Sequence, residues 1–357
     1  MSDLQLNSYL DERNIEVASF PYLPKSSSIV DNLSNEGYRV ALVGLSPAAD
    51  AIRHQLYPLA CNLRKIKIAD LGNVKLGKDG NVAGFALEEV VSYLLDKSVI
   101  PILIGGSQES LLSVYETMQK KLERQRITIL DSMIDLNETD ASYLFSFLNN
   151  EKVEELHVLG LQNYLCANWQ MDALQRSDVH AVRLGEMVNQ LACSEPIFRD
   201  TDWMNLSFSV VRQSEAPAKS YPMPNGFNGF EICQLAQYAG LSDSTLLYSI
   251  TDVEENFDVR NQTSALAAQV VWHILTGIDN RFGDYPKRTV KEYERFQTIP
   301  EVEGDEGIVF FHNKANGRWW IEIPTLRGKR IFACTKDDYR LATEYAIPDV
   351  WMRHYMR

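Results

Sequence analysis

The chain has 357 residues, with 35 Lys and Arg against 48 Asp and Glu, and a net charge of −13. That balance argues against a general nucleic-acid binder, which needs concentrated cations to neutralise phosphates. Hydrophobic content of 45% and charged content of 23% are ordinary for a globular chain, and no stretch approaches the roughly 20 apolar residues that span a bilayer.

The opening MSDLQLNSYLDERN is acidic and lacks the basic flank and apolar run of a signal peptide, which predicts a cytoplasmic protein. Within residues 1–38 a short helix is expected over Leu4–Arg13, then a Pro/Ser-rich loop over Ser19–Ser28. From there strands and helices alternate. Val40–Leu45 reads as a strand, Ala48–Leu59 as a helix, and Lys65–Leu71 as a strand ending at Gly72. Gly84–Asp96 carries helical periodicity through Phe85, Leu87, Val90, Val91, Leu94 and Leu95. Val99–Ile104 is a strand cut off by Gly105-Gly106, and Glu109–Gln125 the following helix.

Ile127–Leu130 reads as a strand buried on both faces, with Asp131, Met133 and Asp135 lining one wall beyond its C-terminal edge. That edge is where open α/β sheets hold ligands. Helices over Ala141–Leu148 and Trp169–Arg176 flank a strand at Leu156–Leu161, and strands follow at His180–Leu184, Met204–Val211 and Thr245–Ile250. Phe230–Ala239 is a helix, and Thr263–Thr276, apolar nearly all round, a buried or interface helix. The alternation predicts an α/β fold in three α/β/α layers around a central parallel sheet.

Near Arg281 the composition shifts, and RFGDYPKRTVKEYERFQ reads as a charged exit segment. Strands Ile308–Phe311 and Arg318–Ile323 flank Asn316-Gly317, which supplies the positive φ of a hairpin turn. A strand at Ile331–Cys334 and a helix at Lys336–Tyr345 complete a small β-rich appendage. The expected division is 1–285 for the main domain and 286–357 for the appendage. With Phe310, Phe311, Trp319 and Trp320, the appendage is too small to bury its own aromatics, so it should dock on the main domain or serve as a contact surface.

The five cysteines (Cys61, Cys166, Cys193, Cys233, Cys334) form no CxxC pair and read as reduced, mostly buried thiols rather than a zinc site. His157 and His180 lack a second His or a carboxylate at ligand spacing and read as structural. Ser107 reads as a helix N-cap rather than a nucleophile. No His lies in the same motif to activate Ser107, Ser207 or Ser209.

Three strand-end segments, Ile104–Glu109, Asp131–Asp135 and Leu206–Val211, together resemble the ureohydrolase family of arginase, agmatinase and formimidoylglutamase. Ala49-Asp50-Ala51-Ile52-Arg53 with Leu56-Tyr57-Pro58-Leu59 is similar to that family's early helix. Pro222–Phe227 with Glu231 resembles its loop and helix after the last metal-binding strand, and Gln213–Pro217 its formimidoylglutamase-like branch. The resemblance covers about residues 38–285 and implies an arginase-like fold. It also implies two manganese ions, about 3.5–4 Å apart, that activate a water against a guanidinium or formimino carbon.

The ligand positions depart from that pattern. Gln108 and Met133 stand where the family has His, and Ser209 and Val211 where it has Asp; Asp131 and Asp135 remain. Two carboxylates against four positive charges do not support a manganese pair, so no metal and no cofactor are expected. Asp252 falls where the family has a substrate-binding Glu, as a vestigial contact or an ordinary loop carboxylate. Asp131 and Asp135, if buried, should bond to backbone N–H groups or a cation such as Arg212.

The reading is a catalytically inactive relative, a pseudoenzyme acting through an unidentified protein partner as scaffold or regulator, with self-association open. The alternatives are a C–N hydrolase with an altered site, such as one hard ion on Asp131, Asp135 and Gln108, and a small-molecule sensor using the old pocket.

Overall fold

The computed structural model describes residues 6–11, 37–60, 63–77, 83–136, 142–148, 150–284, 293–298 and 307–355. The strands in chain order are β1 (Leu10–Asp11), β2 (Tyr38–Gly44), β3 (Lys67–Val74), β4 (Ile100–Ile104), β5 (Gln125–Leu130), β6 (Val153–Leu161), β7 (His180–Arg183), β8 (Trp203–Ser207) and β9 (Leu247–Thr251). They form one nine-stranded sheet in the order β1-β3-β2-β4-β9-β8-β5-β6-β7. Every pairing is parallel except β1 with β3. β4, β9, β8 and β5 are consecutive neighbours at the centre, so their C-terminal ends converge.

The sheet is apolar on both faces because successive side chains alternate. Val40, Leu42, Ile102 and Ile104 enter one core; Ala41, Val43 and Leu103 enter the other. Helices α1 (Ala48–Leu56), α2 (Gly84–Asp96), α3 (Leu111–Lys121), α4 (Tyr143–Leu148), α5 (Asn168–Arg176), α6 (Leu184–Asn189), α7 (Glu195–Arg199), α8 (Gly229–Gly240) and α9 (Gln262–Asp279) cover it. α1, α8 and α9 close the first core, while α2 to α5 close the second. α8 and α9 meet backbone to backbone: a Cβ on Gly240 would stand 2.5 Å from the Ile274 carbonyl oxygen. α9 is buried along most of its length, as its apolar composition predicts.

A second, antiparallel sheet runs β10 (Tyr293–Gln297), β11 (Val309–Asn313), β12 (Trp319–Thr325), β13 (Gly328–Cys334), followed by α10 (Lys336–Thr343) and α11 (Asp349–His354). One face, with Phe310, Trp319, Ile321 and Phe332, packs on α10 and α11 through Tyr339, Ala342 and Val350. The other face carries Phe311 and Trp320, and the Arg199 guanidinium lies 4.7 Å from the Trp320 ring centroid. Arg199 donates to the carbonyls of Trp319 (3.0 Å) and Cys334 (2.8 Å), and the Ala333 N–H donates to Asp200 (2.7 Å). Arg318 reaches back to Glu195 at 3.1 Å and Asp284 at 2.9 Å. Phe310, Trp319 and Phe332 are thus buried within the appendage by its own helices, contrary to the expectation that it is too small to do so, while Trp320 meets Arg199 of the main domain.

Several boundaries differ from the sequence reading. The helix expected over Leu4–Arg13 is a 3-10 turn at Asn7–Tyr9 followed by β1, because Leu10 pairs with Val74 and completes the sheet edge. The helix expected from Glu109 begins at Leu111 after a 3-10 turn and stops at Lys121, and Gln125 already belongs to β5. The strand expected over Met204–Val211 ends at Ser207, where a 3-10 turn at Phe208–Val210 takes over. β10 lies within the stretch read as an exit segment, and the Ser19–Ser28 loop lies outside the described residues. Of the four described cysteines, all free thiols, only Cys233 and Cys334 are buried, and Cys193 is exposed. Among the described residues no helix is long and apolar enough to cross a membrane.

Candidate functional site

The four central strands each deliver polar groups to one point at their C-terminal edge. β4 ends in Gly105-Gly106, both with positive φ, which turn the chain so that Gln108 opens a 3-10 turn. β5 ends at Leu130 with Asp131 next, β8 at Ser207 with Ser209 on the turn beyond, and β9 at Thr251 with Asp252 next. Asp252 adopts φ 64°, an uncommon conformation for a non-glycine residue, held by its N–H bonding to the Gly106 carbonyl at 2.9 Å.

Gln108 is the hub. Its Nε2 donates to Asp131 Oδ2 at 2.6 Å and to Asp252 Oδ2 at 2.8 Å, while its Oε1 accepts from the Tyr143 hydroxyl. Two carboxylate acceptors on one side fix the orientation of the amide, since only an NH2 group offers two hydrogens there. Ser209 Oγ donates to Asp131 Oδ1 at 2.6 Å, and the Met133 N–H adds a bond to the same oxygen at 3.2 Å. Ser207 Oγ donates to Asp252 Oδ2 at 2.6 Å, and Thr251 Oγ1 does so at 3.3 Å. Ser207 Oγ also accepts from the Ser209 N–H, which ties the two serines together.

All these donors are neutral. Burial pushes the Asp131 carboxyl up to about 6, with the Ser209 bond opposing and the Asp252 charge adding to the rise. Burial also raises Asp252, against the bonds from Ser207, Gln108 and Thr251. The Tyr143 phenol rises well above its ordinary value, from burial first and then from the carboxylates of Asp131, Asp135 and Asp252. The cluster thus stores negative charge with hydrogen bonds alone.

The structure brings together Gln108, Asp131, Ser209 and Asp252, and sets the other candidates apart. Asp135 is exposed, because the chain leaves the strand after Asp131 instead of continuing the alternation. Its carboxyl is raised by partial burial and by Glu109. Met133 contributes its backbone N–H, and Val211 is a fully buried core residue. Arg212 does not serve Asp131; it pairs with Glu215 at 2.9 Å. Ser107 stands at the N-cap position, but its side chain makes no cap bond. Tyr143 and Thr251 were missed, since neither an apolar helix start nor a threonine in a strand signals a site. His157 and His180 meet across β6 and β7, Nδ1 to Nδ1 at 3.0 Å, which parallel register arranges and sequence spacing hides.

A binuclear manganese centre does not fit this donor set. Hard dications need several carboxylates and imidazoles, whereas the cluster offers two carboxylates, four hydroxyls and an amide whose NH2 already lies between the carboxylates. Among the described residues no group of three or more His, Cys, Asp and Glu side chains is placed to hold an ion.

Comparison with known proteins places this geometry. The formimidoylglutamase of Lysinibacillus sphaericus (strain C3-41) is 23% identical over 277 residues, covering 71% of this chain and 85% of that protein. The formiminoglutamase of Trypanosoma cruzi with Mn2+ superposes with a TM-score of 0.63 at 16% identity, covering 69% of this chain and 95% of that one. The formimidoylglutamase of Bacillus subtilis gives 0.62 at 18% identity, covering 68% and 88%. The arginase-family model matches residues 37–277, and the chain therefore belongs to the Arginase family.

Proposed function

We propose that this formimidoylglutamase-like chain is a pseudoenzyme, which has given up metal-dependent hydrolysis and works through protein contacts as a scaffold or regulatory subunit. One observation carries the reading: the Gln108 amide bridges Asp131 and Asp252 where a hydrolase of this family would need cations. A hydrogen-bonded brace of this kind keeps the strand ends in place without supplying an activated water. The firmly docked appendage, with its own exposed helices, enlarges the surface available to a partner.

Turnover of formiminoglutamate, arginine and agmatine with added Mn2+ tests the first half, and no product above the uncatalysed rate is expected. Complementation of a deletion strain tests the second half. A paired Asp131→Asn, Asp252→Asn variant should restore the phenotype if contacts carry the function. Mn2+-dependent turnover, lost in the same variant, overturns the reading.

The rival is a hydrolase with an altered site. Its support is that both carboxylates aim at one atom, so a single hard ion displacing the Gln108 amide would meet two acidic ligands. It predicts that Asp131→Ala abolishes ion uptake and activity together.

A further inference from the structure

A cavity of about 430 Å³ lies between the β6–β7 edge of the large sheet and the β12–β13 turn with α11. Its polar lining includes Arg124, His180, Arg327, Arg330, Arg353 and His354. It belongs to the opposite edge of the sheet from Gln108, since Glu154 and Glu155 open β6 and His180 opens β7. Ligand sites of open α/β sheets sit at the other edge.

Five buried or half-buried arginines of this molecule each receive a carboxylate. Arg53 has Asp70 at 2.9 Å, Arg126 has Asp202 at 2.7 Å, Arg199 has Glu195 at 2.9 Å, Arg318 has Asp284 at 2.9 Å and Arg330 has Glu154 at 2.5 Å. Arg281 has two carbonyls and the Tyr248 hydroxyl in place of a carboxylate, and Arg353 has less still. Its hydrogen-bond acceptor is the neutral imidazole Nδ1 of His180 at 3.0 Å, and its Nε is buried with no partner among the described residues. Its pKa falls, because burial outweighs the attraction of Glu155, Asp349, Asp338 and Asp200, whereas those of Arg53, Arg126 and Arg330 rise.

Of the carboxylates around the cavity, Glu154 is engaged by arginines, whereas Glu155 keeps its Oε1 buried without a hydrogen-bond partner among the described residues. Glu154 takes both Arg330 nitrogens and has Arg124 at 3.7 Å. Glu155 faces His157 at 3.3 Å and His354 at 3.7 Å. Asp178 lines the cavity from a turn and has an interaction of its own. Arg327, exposed on the β12–β13 turn, has no side-chain partner among the described residues. Burial, then the charge of Arg353, holds His157 down to about 3 and lowers His180 as well. With both imidazoles neutral, the charged lining is four arginines (Arg124, Arg327, Arg330 and Arg353) against Glu154, Glu155 and Asp178.

We infer that this cavity is a binding site for a small oxyanion, a phosphate- or carboxylate-bearing molecule, gripped by Arg353 from α11 and Arg327 from the turn. Guanidinium groups suit this task because they present planar, paired donors. Its lining comes from both sheets, so the occupant ties the C-terminal segment to the edge of the large sheet.

Isothermal titration with inorganic phosphate, pyrophosphate and citrate, each against sodium chloride of equal ionic strength, tests this. At least one should bind one-to-one at millimolar concentration or tighter, and slow amide exchange over residues 325–331 and 349–355. Arg327→Gln, at an exposed position, should weaken binding about tenfold, the worth of one charge-assisted contact. Arg353→Gln should abolish it, with circular dichroism to confirm that the variant folds. Gln108→Leu should leave the affinity unchanged, which separates this site from the cluster at the other edge. Absence of saturable binding by all three anions, or binding indifferent to Arg327→Gln and without slowed exchange, overturns the proposal.

Discussion

Two buried polar clusters share the C-terminal edge of the large sheet and solve the same problem differently. At Arg53, a fully buried guanidinium meets Asp70 at 2.9 Å and Asp50 at 2.8 Å, with Asn73 and the Gly72 carbonyl completing its bonds. At Gln108, two buried carboxylates meet only an amide and hydroxyls. A cation cancels carboxylate charge, whereas neutral donors only solvate it, so Asp131 is left holding its proton up to about pH 6. The Gln108 cluster holds its two carboxylates with neutral donors, and the Arg53 cluster holds its own with a cation.

Breaking the first cluster should cost most. Arg53→Met leaves Asp70 buried without its cation, and chemical denaturation should show a loss of about 3–5 kcal/mol. Gln108→Leu removes the bond common to Asp131 and Asp252, and a loss of about 2–4 kcal/mol at pH 8 is expected. The loss should shrink at pH 5, where a protonated Asp131 can itself donate. Equal losses at both pH values would show that the two carboxylates do not sense each other.

The pH dependence sharpens the comparison. Asp131 has its folded pKa raised from 3.8 to about 6, so the folded state binds more protons than the unfolded state between those values. Stability must then fall as pH rises through the window from about 4 to 6, by up to about 3 kcal/mol from this group, and stay level above it. Denaturation midpoints of Asp131→Asn should lack that slope. Asp135→Ala, at an exposed position, should change stability by less than about 0.5 kcal/mol. A larger loss would mean that Asp135 belongs to the cluster after all.

The parallel sheet was legible because apolar runs such as Ile100–Ile104 and Ile127–Leu130 bury both faces, a pattern that only a covered sheet explains. The wall Asp131–Met133–Asp135 was misread because strand alternation was carried past the last ladder bond, where nothing enforces it. Val211 was likewise placed on a strand that stops at Ser207. Each of Gln108, Asp131, Ser209 and Asp252 was singled out from its own segment. Their convergence on one amide nitrogen depends on the order β4-β9-β8-β5, which no local pattern encodes. The same holds for the His157–His180 contact and for Arg353, whose unusual partner is set by how the appendage docks.

Manganese binding tests the central claim most directly. With the purified protein in excess over Mn2+, the electron paramagnetic resonance signal of the free aqueous ion should keep its full intensity at neutral pH. Quenching by the unsubstituted chain would contradict the account.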